Sequence, residues 1–209
     1  MAKIERLTDS CLLVTTDNEA TLFDPGFHTY QSGQVDLNDL GDVTRVFITH
    51  EHGDHVNPEF VRWVIDRSQD ITVYSNDAVR DLLAEHGIDV DTGTPGGAGI
   101  EDVLHGKLPT GATPPNRSFT IEGVLTHPGD SREPTKTAPV LALPLLVPWD
   151  SATGAVEFAR RVQPKQVVPI HDFYMSEMGR GWIRGLIKGV LAEDDIELVD
   201  IDWGDSFSI

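Results

Sequence analysis

The 209-residue sequence predicts an α/β fold in a single domain of layered sheets and helices. Three observations predict it. Short strand patterns come first in pairs. Continuous β-branched and aromatic runs then alternate with amphipathic helix patterns. No linker, low-complexity tract or internal repeat interrupts residues 1–209, a length ample for one sizeable core.

The elements follow in order. "CLLVTTDNEATLFDPG" reads as two strands joined by a polar turn at Asp17-Asn18 and stopped by Pro-Gly. "VTRVFITH" is the pattern of a strand buried on both faces. "NPEFVRWVIDRS" reads as a helix: Asn57 caps it, Pro58 suits its first position, and Phe60, Val61, Val64 and Ile65 share a face. "ITVYS" is a strand, and "NDAVRDLLAEHG" a helix from Asn76 to the Gly87 stop. His86 beside that stop suits the helix dipole, a structural role. Residues 91–99 read as a loop, "IEDVLH" as a strand ending at His105, and "GKLPTGATPPNR" as a second loop. "SFTIEGVLTHPGDS" has the form of a hairpin turning near Glu122-Gly123. "APVLALPLLVP" and "QVVPIHDF" are strands around a helix capped by Ser151, and "GWIRGLIKGVLAEDD" is a helix followed by strand material.

Composition narrows the function classes. The net charge of −18 repels phosphate backbones, which excludes nucleic acid as a partner. No basic start precedes an apolar run, and the longest apolar run, residues 138–147, holds two prolines. A cytoplasmic protein away from membranes is expected. The lone Cys11 sits in a strand pattern and is expected to be a buried structural thiol.

The chemistry concentrates at strand ends. His50, His52, His105 and His171, with Asp24, Asp54 and Asp130, all fall at or just past predicted strand C-termini, where α/β folds gather ligands. In His50-Glu51-His52-Gly53-Asp54-His55, alternate residues point the same way, so His50 and His52 can reach one ion. Gly53 permits a bend that turns Asp54 and His55 towards a second position. Imidazole and carboxylate donors without thiolate suit Zn²⁺, with Mn²⁺ or Fe²⁺ as alternatives. So many donors in six positions fit two adjacent divalent metal ions better than one closed structural site.

The HxHxDH motif after a buried strand resembles that of the metallo-β-lactamase-fold hydrolases. Asp24 in "LFDPG", His105 in "DVLHG", Asp130 in "HPGDS" and His171 in "VVPIH" match the family's remaining positions in order. The last two contexts look most like the compact branch that includes ascorbate-6-phosphate lactonase, with Ser131 where threonine is usual. The resemblance implies a four-layered αβ/βα sandwich. It implies that His50, His52 and His105 bind one metal, that Asp54, His55 and His171 bind the second, and that Asp130 bridges. Asp24 would orient the main loop, and His127 matches a family histidine near the metals. His52 stands where oxygen-reducing di-iron members carry glutamate, which implies hydrolysis. A hydroxide shared by the metals would attack a carbonyl or phosphoryl centre, with Asp54 or Asp130 as proton shuttle.

The expected reaction is hydrolysis of an ester, lactone or amide bond in a small molecule. The alternatives are a phosphodiesterase acting on a small nucleotide or phospholipid-like substrate, and a non-catalytic metal or ligand sensor. Substrate contacts are expected from His28 and Tyr30 in a loop after "DPGF", and from Trp149 and Tyr174 past later strands. Lys107, Arg117, Arg132 and Lys136 are loop cations that could face an anionic group. Oligomeric state is left open.

Overall fold

In a computed structural model of the protein, every residue except Gln69 is described. The chain divides into two compact units, Met1–Pro95 with Ile201–Ile209, and Gly96–Asp200. Each contains one six-stranded mixed sheet.

The first unit holds β1 (Lys3–Arg6), β2 (Leu12–Thr15), β3 (Ala20–Phe23), α1 (Phe27–Gln31), β4 (Arg45–Phe47), α2 (Pro58–Ile65), β5 (Thr72–Tyr74) and α3 (Asp77–Ala84). Strands β1 to β3 run antiparallel, and β3, β4 and β5 run parallel. Every residue of β4 is buried: Val46 and Phe47 as apolar strand residues, and Arg45 through its bond to the Thr21 hydroxyl and its pair with Glu19. Val46, Phe60, Val61, Val64, Val79 and Leu83 belong to one buried cluster that joins this sheet to α2 and α3. Asn57 and Asn76 cap those helices by accepting the Phe60 and Val79 amides. The parallel ladder ends on a row of aromatic residues, Phe23, Phe47 and Tyr74. Their rings meet edge-on at 5.3 and 5.7 Å. Beyond that row lie Asp24 and, three residues after Phe47, His50.

The second unit holds β6 (Ala98–Leu104), β7 (Pro115–Ile121), β8 (Leu125–His127), β9 (Val140–Pro144), α4 (Ala152–Val162), β10 (Gln166–Ile170), α5 (Glu177–Ala192) and β11 (Glu197–Leu198). Strands β6 to β8 are antiparallel, and β8 to β11 are parallel. Leu141, Leu143, Phe158, Ile183, Ile187 and Leu191 share its buried cluster. The final strand β12 (Ser206–Ser208) pairs with β1, so the chain ends in the first sheet.

Several local expectations are corrected. The stretch after "DPGF" is the helix α1, because the Tyr30 and Ser32 amides bond back to the Gly26 and His28 carbonyls. The loop expected to run to Arg117 ends at Pro115, where β7 pairs with β6. Helix α5 starts at Glu177, earlier than the apolar pattern, because the Ser176 hydroxyl caps it. Among the described residues, no helix is long and apolar enough to cross a membrane.

Cys11 is 1% exposed, and burial pushes its thiol well above the ordinary 9.0. The folded thiol therefore holds its proton longer than the unfolded one. Its contribution to stability is present below the unfolded pKa and is lost as pH rises towards the folded value. Above about pH 9 the wild type should lose stability more steeply than Cys11→Ala, as read from denaturation midpoints over an alkaline series. Parallel slopes would contradict this.

Candidate metal centre

The donors form two clusters, one at the strand edge of each unit. In the first unit, Asp24 organises the cluster. It is fully buried and its backbone sits at φ +44°, an uncommon left-handed conformation for a residue other than glycine. Its carboxylate accepts the Thr49 amide at 2.7 Å, the Thr49 hydroxyl at 2.8 Å and His55 Nδ1–H at 2.7 Å. Because the Thr49 hydroxyl donates to Asp24, it can accept from His50 Nδ1, 3.1 Å away. One carboxylate thus sets the tautomer of His55 directly and of His50 through Thr49. In both rings Nε2 is left carrying a lone pair.

His50 Nε2 then meets His52 Nδ1 at 3.0 Å. Two imidazole ligands of one tetrahedral zinc, each ~2.0–2.1 Å from it, have donor atoms about 3.3 Å apart. The His50 ring also packs against His55 at 4.1 Å between centroids, and Asp54 Oδ2 lies 3.9 Å from His55 Nε2. Thr49 was not singled out in the sequence; its position directly before His50 was the only signal.

The bend that carries these residues is held closely. The Phe27 amide donates to the Gly53 carbonyl, and the Asn57 amide to the Pro25 carbonyl, both at 2.9 Å. A Cβ on Gly26 would lie 1.8 Å from the Asp54 carbonyl oxygen, so close approach of the backbone dictates glycine there. Gly26→Ala should displace the Asp54-His55 segment and lower metal affinity by about 10- to 100-fold, as for other residues that support ligands. Metal titration checks it, and an unchanged affinity would contradict it.

In the second unit, Asp130 is the focus. Its Oδ2 lies 3.2 Å from His105 Nε2 and 3.2 Å from His171 Nε2, and accepts Trp149 Nε1–H at 3.0 Å. Both histidines direct Nδ1 at backbone carbonyls, His105 at Gly106 (2.5 Å) and His171 at Leu146 (2.9 Å). Those bonds place the proton on Nδ1. Two imidazole lone pairs then face one carboxylate oxygen, which is repulsive unless protons or cations lie between. A divalent cation coordinated by these atoms would relieve the repulsion.

Other residues hold Asp130 and His171 in place. Asn116 accepts the Asp130 amide at 3.1 Å and donates to the Pro128 carbonyl at 2.8 Å. His171 sits at φ +61°, tied by its ring and by a Leu146 amide to His171 carbonyl bond of 3.3 Å. Next to it, buried Asp172 pairs with buried Arg184 at 2.8 Å. None of Asn116, Asp172 and Arg184 was picked from sequence. His127 is fully buried on β8, and its Nδ1 accepts the Gly129 amide at 3.3 Å, which leaves the proton on Nε2.

The expected substrate contacts separate. His28 does not lie in an open loop: it is buried and bonded to buried Asp9 at 2.7 Å. Tyr30 stacks on Phe60 at 5.2 Å between centroids, so its ring belongs to the packing of α1 on α2. Trp149 does wall a cleft of about 340 Å³ beside His105, which Lys107 and Arg132 also line. A Cβ on Gly106 would strike the Trp149 ring at 2.0 Å, so this glycine lets the indole reach Asp130. Tyr174 is 75% exposed. Arg117 is on β7, not in a loop, and pairs with Asp102 at 2.7 Å. Arg132 pairs with Asp150 and donates to the Ser151 and Pro144 carbonyls. Burial holds its guanidinium below the usual arginine range despite Asp150.

A family model described as the metallo-beta-lactamase superfamily matches residues 5–57. The structure of Igni18, a metallo hydrolase from Ignicoccus hospitalis, superposes with a TM-score of 0.73 at 16% identity, over 100% of this chain and 99% of that one. The metallo-beta-lactamase fold protein YhfI from Bacillus subtilis gives 0.67 at 16% identity, over 99% and 98%. The chain has the metallo-β-lactamase fold. Protein Rv0786c of Mycobacterium tuberculosis is 27% identical over 200 residues, 88% of this chain and 91% of that protein. The superfamily model covers the first unit up to Asn57, and so includes Asp24 and the whole HxHxDH segment of this metallo-β-lactamase fold.

Proposed function

We propose that the protein is a dinuclear metal-dependent hydrolase that cleaves an ester, lactone or amide bond of a small molecule. The observation that carries the reading is the Asp130 carboxylate, one oxygen of which faces the Nε2 atoms of His105 and His171 at 3.2 Å each. The donor set fits the ions: imidazole nitrogens whose opposite ring atoms are anchored, with carboxylates and without thiolate. His50, His52 and His105 would hold one ion, Asp54, His55 and His171 the other, and Asp130 both, an assignment supported by the resemblance and by the order within each cluster. Divalent ions held there supply a water of lowered pKa and a Lewis acid for the substrate oxygen.

The chain's own residues do the rest. Asp24 fixes the protons of His50 and His55 on Nδ1, so both stay ligands rather than acids. Asp54 and Asp130 are the carboxylates able to take a proton from an attacking water and pass it to the leaving group. The Trp149 indole N–H donates to Asp130 Oδ2 and orients that carboxylate, and its ring gives the cleft an apolar wall.

Two cations that could have read a phosphoryl group, Arg117 and Arg132, are engaged by Asp102 and Asp150. Lys107 also lines the cleft and could meet a carboxylate or a phosphoryl group, so the preference for carboxylic esters, lactones and amides is supported by the resemblance. A panel of chromogenic esters, lactones and phosphodiesters, with Zn²⁺ or Mn²⁺ restored after chelation, tests the reading. Turnover is expected on the first two classes and only with metal. A preference for phosphodiesters would favour the second reading, and metal binding without any turnover would favour a sensor. On the best substrate, Trp149→Phe keeps the apolar wall and loses the N–H, so kcat should fall by about tenfold with KM little changed. A change confined to KM would mean that the indole acts only as a wall.

A further inference from the structure

Helix α5 is apolar on two opposite faces. Its buried side carries Ile183, Ile187 and Leu191, against the second unit's core. On the other side Met178, Trp182 and Leu186, each four residues from the next, are 84%, 68% and 50% exposed. A surface helix normally turns polar groups outward, and a helix apolar on both sides is normally covered on both. Beside this ridge run Gly181, Gly185 and Gly189, also four apart. A Cβ at any of them would meet nothing within 4 Å, so packing within the chain does not call for glycine there. These three glycines, with Gly179 in the first turn, weaken the helix. What they provide is a flat strip on which another backbone can lie closely, beside a ridge that can interlock with it.

We propose that this face of α5 is where two copies of the chain associate, with their α5 helices packed antiparallel about a two-fold axis near Trp182. The local pairing of opposite charges and the area favour a second copy, against the long-range repulsion between two chains of −18 each. Glu177 and Lys188 are exposed, lie on the same flank of the strip and stand on either side of Trp182 in sequence. A two-fold at Trp182 brings Glu177 of each copy to Lys188 of the other. It also sets Met178 against Leu186 and Trp182 against its own counterpart, the self-complementary pattern that such symmetry requires. Met178, Trp182 and Leu186 together present on the order of 400 Å² of apolar surface, the size of the largest patch on a typical monomer, which often marks a function. With its polar rim, that approaches the roughly 800 Å² per partner of a stable interface. The net charge of −18 argues against an anionic membrane as the occupant.

The test is the mass of the metal-loaded full chain by light scattering at high micromolar concentration. The wild type should appear at twice the 23.0 kDa of one chain. Trp182→Glu, at an exposed position, should appear at once that mass, with its far-ultraviolet dichroism and metal content retained. Glu177→Lys and Lys188→Glu should each weaken association by about tenfold or more. The double variant restores the opposite charges across the axis and should recover association. A wild type at the mass of one chain would overturn the proposal. So would a Trp182→Glu protein that stays dimeric, or a double variant no tighter than the singles.

Discussion

Asp130→Ala should abolish metal-dependent turnover while the protein stays folded. The carboxylate sits where β8 gives way to a loop, and its main-chain amide is held by Asn116, so truncating the side chain leaves that backbone bond intact. What disappears is the single oxygen that His105, His171 and Trp149 share. In the proposed centre this is the ligand common to both ions. Its removal should cost at least one ion per chain and on the order of 10³-fold or more in kcat, about 4 kcal/mol of barrier. Far-ultraviolet dichroism and the thermal midpoint report the fold, and plasma mass spectrometry reports the metal. A metal-replete Asp130→Ala protein with turnover within a few-fold of wild type would remove Asp130 from the chemistry.

Asp24→Asn should be nearly as damaging, although this side chain would touch no ion. The carboxylate accepts from Thr49 twice and from His55 once, all within 2.8 Å and out of solvent. An asparagine can keep with its oxygen only the bond from the Thr49 amide, made to Oδ1, because the Thr49 hydroxyl and His55 both bond to Oδ2. Its NH₂ group then faces His55 Nδ1, which must become an acceptor and send the ring proton to Nε2, the atom meant for metal. Metal affinity should fall by about 10- to 100-fold with only a modest loss of stability. Asp24→Ala is the contrasting case. It strands several buried donors and should cost about 3–5 kcal/mol, a fall of roughly 10 °C in thermal midpoint for a chain of this size. Metal titration separates the two effects. Equal metal affinity in Asp24→Asn and wild type would show that the His55 tautomer does not matter.

The legible part of the site was the part written in consecutive residues. His50, His52, Asp54 and His55 announce themselves because a strand followed by a turn brings near neighbours together, and the strand ends before Asp24, His105, Asp130 and His171 could be read from apolar runs. The helices capped by Asn57, Asn76 and Ser151 were legible for the same local reason, whereas the start of α5 after Ser176 was not. What supports the donors was not. Thr49, Asn116 and the Asp172–Arg184 pair act through hydrogen bonds across elements, and apart from Thr49 standing before His50 nothing in their neighbourhoods marks them. His28 looked accessible because Gly and Pro precede it, yet the backbone closes into a turn of helix and the ring goes inward to Asp9, 19 residues earlier in the chain. The pairing of the last strand with the first depends on tertiary contacts alone, so the terminal segment could be read as a strand but not assigned to a sheet.

One measurement tests the central claim most directly: metal per chain, with turnover recorded on the same samples, for wild type, His50→Ala and His171→Ala. These two histidines belong to different clusters, in different units of the chain. If both clusters serve one two-metal centre, the wild type carries two divalent ions, each variant loses at least one, and both lose hydrolysis together. Wild-type turnover in either variant after its metal has been removed would contradict the account.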